Sequence, residues 1–199
     1  FSVMIHEISH GFMAERLGDD TARKFGRLTL NPLRHIDLFG SILLPFLLFI
    51  TRSPVILGWA KPVPYDPSKL HKDYRYGPLK VALAGPISNF LVLIIVGLIA
   101  RLGADFLNPK IVVLLGFVAF LNTALAIFNL VPIPPLDGSR LLTLIFPKSA
   151  RAIERTGFYG IFLVFLFIYL FSDILFRVIA WVFAIVVGPA VFFGVVGNT

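Results

Sequence analysis

The chain contains no cysteine among its 199 residues. Disulfides and thiolate metal sites are therefore excluded, and nothing about redox compartment follows. Charge is scarce as well. Only 15% of residues are charged and 57% are hydrophobic, whereas soluble domains carry roughly 25% charged residues. With a mean hydropathy of +0.88, the composition is that of a membrane protein. Phe1 opens the chain with neither a basic stretch nor a small-residue cleavage site, so residues 1–17 are not expected to be a secretory leader. The chain is expected to have been cut, or to begin partway along a longer helix. Internal repeats and low-complexity tracts are absent, and the length suits a single membrane-embedded domain.

What is present is a series of apolar runs separated by basic, turn-rich segments. Residues 1–17, "FSVMIHEISHGFMAERL", have helical period, with Met4, Ile8 and Phe12 on one side and His6, Glu7 and His10 on another. "GRLTLNP" alternates as a short strand does, and a second edge strand is expected around Trp59 to Tyr65. The apolar segment 38–50 has 13 residues and contains Pro45. That is short of the roughly 20 residues a full span needs, and it suits a re-entrant segment. Four longer runs follow at 79–100, 111–131, 158–171 and 178–196. The expectation is an all-α polytopic fold of about five to six membrane helices. A small strand and re-entrant element would lie between the first helix and the 79–100 helix.

The net charge is +7, and the basic residues lie between apolar runs rather than along one face. This is the pattern of the positive-inside rule, and it argues against nucleic acid as a partner. Eleven of the 18 Lys and Arg fall from Arg16 to Lys80, on both sides of segment 38–50. If that segment dips in and returns, both basic loops share the cytoplasmic face. The two basic residues in 101–110 then lie outside and the four in 132–155 inside.

The chemistry begins at "HEISH". His6 and His10 are four residues apart, on one helix face, so both imidazoles can reach one metal ion. Glu7 sits on the adjacent side of the same turn, placed to take a proton from water without being a ligand. Three ionisable groups on a membrane helix default to a functional reading. A catalytic zinc takes three protein ligands, and the third must come from elsewhere. In "NLVPIPPLDGSR" an apolar helix meets Pro132, Pro134 and Pro135 and then presents Asp137 before Gly138. Asp137 is either the third ligand, at a helix break lining a wet cavity, or a solvated turn residue. In "AGPISN", Ala84 and Gly85 allow close helix approach. Asn89, like Asn129, is read either as interhelical hydrogen-bonding glue or as a group holding the substrate strand or an oxyanion. His35 and His71 stand among basic loop residues and are assigned no catalytic role, His35 being a structural part of its turn. Asp37 is placed to cap segment 38–50, and Trp59 and Tyr65 to sit at the membrane interface.

Together and in this order, "HEISH", "GPISN" and "NLVPIPPLDG" resemble the site-2 protease family of intramembrane zinc metalloproteases. "GRLTLNPLRHID" and "WAKPVP" resemble its compact prokaryotic subgroup, without a PDZ-like insert or a nucleotide-sensing tail. The resemblance covers residues 1 to about 142, leaving 150–199 as accessory helices. It implies that His6, His10 and Asp137 bind one zinc ion and that Glu7 is the general base. It also implies an endopeptidase that cuts a transmembrane-protein substrate in or near its span, in regulated intramembrane proteolysis. The site would lie towards the cytoplasmic side of a prokaryotic cell membrane. The strands would offer an edge to the unwound substrate. The competing class is a non-catalytic membrane binding protein on the same fold; an ion pathway through His6, Glu7 and Asp137 ranks below both.

Overall fold

The structure is a computed structural model that describes residues 1–52, 58–146, 148 and 157–197. Arg151 and Arg155, counted above with loop 132–155, lie outside the described residues. The described elements are helical: α1 (Ser2–Arg16), the single turn α2 (Thr21–Lys24), α3 (Leu44–Ile50), α4 (Gly77–Gly103), α5 (Pro109–Asn129), α6 (Ser139–Ile145) and α7 (Gly157–Val195). Three of them, α4, α5 and α7, are long and apolar enough to cross a membrane. The chain is thus an all-α membrane protein. Contacts divide it into two compact units, one of Phe1 and Val3–Gly85, the other of Ser2 and Pro86–Thr199.

In the first unit, α1 buries Met4, His6, Ile8, His10, Gly11 and Ala14, while Phe12 stays exposed. Ala14 packs with Leu70 and Val81 in a small core. The buried Asp19 carboxylate ties loops together, accepting from the backbone amides of Thr21 at 3.0 Å and Asp66 at 2.6 Å. The Ser68 hydroxyl and amide hold the Asp66 carboxyl below the usual carboxylate range. Asp37 caps the next segment as expected, accepting from the amides of Phe39 and Gly40. That segment is a wide turn of π-helix, Leu38–Leu43, running into α3. Its 13 apolar residues measure about 20 Å as helix, less than the roughly 30 Å hydrocarbon core of a bilayer.

The two expected strands do not form among the described residues. Around 27–31 the chain bends, and 58–66 carries no regular secondary structure. Pro62 and Pro64 have no N–H to offer a neighbouring strand. The free positions are claimed individually: the Trp59 amide donates to the Gly40 carbonyl, and the Lys61 amide to the His35 carbonyl. The buried Arg27 guanidinium donates to the carbonyls of Lys61 and Pro62. The result is a strap bound by side chains rather than a sheet.

In the second unit, Leu93 and Ala100 of α4, Val112 and Ala119 of α5, and Phe183, Val187 and Val191 of α7 form one buried cluster. The Phe183 ring meets Phe120 edge-on, with centroids 5.4 Å apart. The runs 158–171 and 178–196, read as two spans, are joined by continuous helix through 172–177, and the break falls at Gly188. The connecting "SDILFR" contains neither Gly nor Pro to stop it. The helix kinks only at Gly188, whose φ of +75° is followed by Pro189. Proline cannot donate to the carbonyl four residues back, and Arg101 instead donates to that Ile185 oxygen at 3.2 Å.

A buried polar triad completes this unit. The Asn89 amide donates to Asn122 Oδ1 at 2.8 Å and to the Ser2 carbonyl at 3.3 Å, and the Asn122 amide donates to Ser2 Oγ at 2.8 Å. Asn89 and Asn122 are both fully buried. Removing the Asn122 side chain deletes its hydrogen bonds to Asn89 and Ser2, at a cost of about 1–3 kcal/mol. Asn122→Ala is therefore expected to lower the thermal unfolding midpoint in detergent; an unchanged midpoint would show the triad to be dispensable.

Candidate metal centre

The α1 helix delivers His6 and His10 one turn apart, as their spacing requires. Both are buried, and their rings meet edge-on with centroids 4.7 Å apart. His10 Nδ1 lies 2.7 Å from the Val81 carbonyl. A carbonyl only accepts, so Nδ1 carries the proton and donates, which leaves the Nε2 lone pair available to a metal. The wall facing the two rings is Gly85. A β-carbon at that position would lie 2.5 Å from His10 Nε2 and 2.6 Å from His6 Cε1. Only a glycine leaves room there for imidazoles in these positions.

Glu7 is half-buried on the same helix. Its Oε2 accepts the backbone amide of Val63 at 3.0 Å. Flanked by two prolines, Val63 holds the one N–H of the Pro62–Pro64 stretch, and that N–H is aimed at this carboxylate. The strap thus orients Glu7 instead of presenting a free edge.

In the second unit, α5 ends at Asn129 and the chain turns back through the prolines, with the Pro134–Pro135 peptide in the cis form. The Gly138 amide donates to the Asn129 carbonyl at 2.7 Å. A β-carbon on Gly138 would strike the Leu130 carbonyl oxygen at 2.2 Å, so the residue after Asp137 must be glycine for the loop to close on the end of α5. The half-buried Asp137 is fixed at this break. His6 and His10 in the first unit supply two imidazoles, and Asp137 in the second supplies a carboxylate. Two imidazoles and one carboxylate are a donor set suited to zinc with one coordination position left open.

The two asparagines sit differently. Asn89 is fully buried, its amide hydrogens directed at Asn122 and Ser2. Asn129 is half-buried, and its amide donates to the Leu125 carbonyl of its own helix at 2.9 Å. His35 is buried with Nε2 against the Thr29 carbonyl, a structural part of its turn. Sequence reasoning missed Asn122, Arg27 and the Val63 amide. The last had a legible signal: a single N–H between two prolines.

The sequence profile of Peptidase family M50 matches residues 95–172. Two relatives carry the name "Putative zinc metalloprotease". One, YwhC of Bacillus subtilis, is 38% identical over 84% of this chain and 76% of its own length. The other, Rip2, is 31% identical in both Mycolicibacterium smegmatis and Mycobacterium tuberculosis. These alignments cover 82% and 92% of this chain and 61% and 70% of the relatives. No solved structure gives a significant match. An identity of 38% across three quarters of a relative, on a membrane chain with this donor group, establishes that the chain belongs to peptidase family M50, the site-2 protease family of zinc metalloproteases.

Proposed function

We propose that this membrane metalloprotease is an intramembrane endopeptidase with one zinc ion per chain, held by His6, His10 and Asp137. Its substrate would be a transmembrane protein, cut in or near its span as a step in regulated intramembrane proteolysis. The observation that carries the reading is the buried two-histidine face of α1 with Glu7 beside it, within an otherwise apolar chain. Zinc supplies Lewis acidity, polarising a peptide carbonyl and lowering the pKa of water. The chain's own residues do the rest. Glu7 takes the proton from the attacking water on its carboxylate and returns it to the leaving amine. The Val63 amide keeps that carboxylate pointed, and the Val81 carbonyl keeps His10 in the metal-binding tautomer. For substrate contact, Asn129 is favoured over Asn89, because it is partly exposed beside the helix break. The distribution of basic residues supports a multi-pass orientation with the site towards the cytoplasmic side of a prokaryotic cell membrane.

The test pairs metal content with cleavage. Detergent-purified protein is expected to carry about one zinc per chain, and His6→Ala and Asp137→Ala clearly less. Glu7→Gln keeps its zinc but stops cutting a reconstituted single-span substrate. A parent that folds without zinc, or a Glu7→Gln variant that cleaves at the parental rate, would overturn the proposal.

Gly85→Ala provides an independent check on the geometry. The added methyl group must displace an imidazole, and His10 is anchored through Nδ1. The expected outcome is a roughly 10–100-fold loss of zinc affinity, the range seen when groups supporting metal ligands are altered. Competition with a chelator measures it, and parental affinity would show that the rings do not rest against Gly85.

A further inference from the structure

Away from the histidines, the first unit carries an open cavity of about 500 Å³ that the proposed chemistry does not use. Arg27, Arg34 and Lys61 line it, and no carboxylate does so among the described residues. Arg27 is buried and committed to the strap. Arg34 and Lys61 are exposed and enter no ion pair among the described residues. The apolar part of the wall includes Phe25, 67% exposed, and Leu33, 73% exposed, together with Ile36. Immediately beyond, the exposed Leu38, Phe39, Ile42 and Phe46 begin the apolar segment leading into α3. A cationic pocket therefore opens beside apolar side chains at the head of a lipid-compatible segment.

From this arrangement we propose that the cavity is a binding site for an anionic phospholipid. The phosphodiester lies between Arg34 and Lys61, and the acyl chains run along Leu33 and the 38–46 face. A basic pocket at the membrane boundary matches such a headgroup by charge. A free phosphate leaves the exposed Phe25 and Leu33 without a partner. An extended acidic peptide fits worse, because the backbone here is already spent. The Lys61 amide goes to His35, the Lys61 and Pro62 carbonyls accept from Arg27, and the Val63 amide goes to Glu7. Pro62 and Pro64 have no N–H, so a peptide finds no edge to pair with.

The test titrates short-chain phosphatidylglycerol into the full chain in a neutral detergent and follows the thermal unfolding midpoint. Saturable stabilisation is expected from phosphatidylglycerol, but not from phosphatidylcholine or from inorganic phosphate at matched ionic strength. Arg34→Gln and Lys61→Gln should each weaken the apparent Kd by about fivefold, the order expected for one basic side chain at an anionic surface. Lys110→Gln, on an exposed residue of α5 outside the cavity, should leave it unchanged. Both cavity substitutions are at exposed side chains, so the fold should survive them. Equal stabilisation by the two lipids would overturn the proposal, as would parental binding in the double variant. Stabilisation by inorganic phosphate alone would make this a free-anion site. A synthetic acidic peptide that binds through the same two residues where phosphatidylglycerol does not would make it a peptide site.

Discussion

An imidazole buried in an apolar chain keeps one orientation only if its second nitrogen is satisfied. The 2.7 Å contact between His10 Nδ1 and the Val81 carbonyl meets that need, and the metal centre depends on it. The bond also sets where α4 must lie against α1. Four residues on, Gly85 reaches the same pair of rings, and the absence of its β-carbon is what permits the approach. The "AG" of "AGPISN" thus does for a metal site what small residues do between packed membrane helices: it removes bulk where two backbones, or a backbone and a ring, must touch.

The same rule governs the rest of the chain. In a medium poor in water, each irregular stretch of backbone needs a named donor or acceptor. Pro189 leaves the Ile185 carbonyl without its helical partner, and Arg101 supplies one. The Lys61 and Pro62 carbonyls are taken by Arg27. Asp19 takes the amides at the start of α2 and at Asp66. Asn89 and Asn122 bind one another and the start of α1 at Ser2. Polar side chains are few here, and most of those that are buried serve as such partners.

This explains which features the sequence made legible. Four-residue spacing suffices to put His6 and His10 on one face, because helix geometry alone determines it. Three prolines within four residues, Pro132, Pro134 and Pro135, suffice to end α5 and place Asp137 on a turn. The helix face carrying both histidines and the break carrying Asp137 were therefore readable from local pattern. Asn122 was not, because its partners are 33 and 120 positions away, and no local period marks a long-range hydrogen bond. The expected division between 171 and 178 is not seen, because Asp173 and Arg177 do not interrupt the helix, and the break falls at Gly188. At i,i+4 spacing they are instead compatible with uninterrupted helix.

The absence of the two expected strands among the described residues follows from the same physics. Alternation in "GRLTLNP" and "WAKPVPY" is a signal for strands, but 28–30 bends and 58–66 carries no regular secondary structure. A strand, however, is defined by pairing, and prolines at 62 and 64 remove alternate donors from the edge a neighbour would need. The remaining N–H, on Val63, points at Glu7. A chain that only needed an edge for a peptide would keep these donors free. Here the segment gives up its capacity for β-pairing, and in exchange the Glu7 carboxylate is held by a backbone N–H.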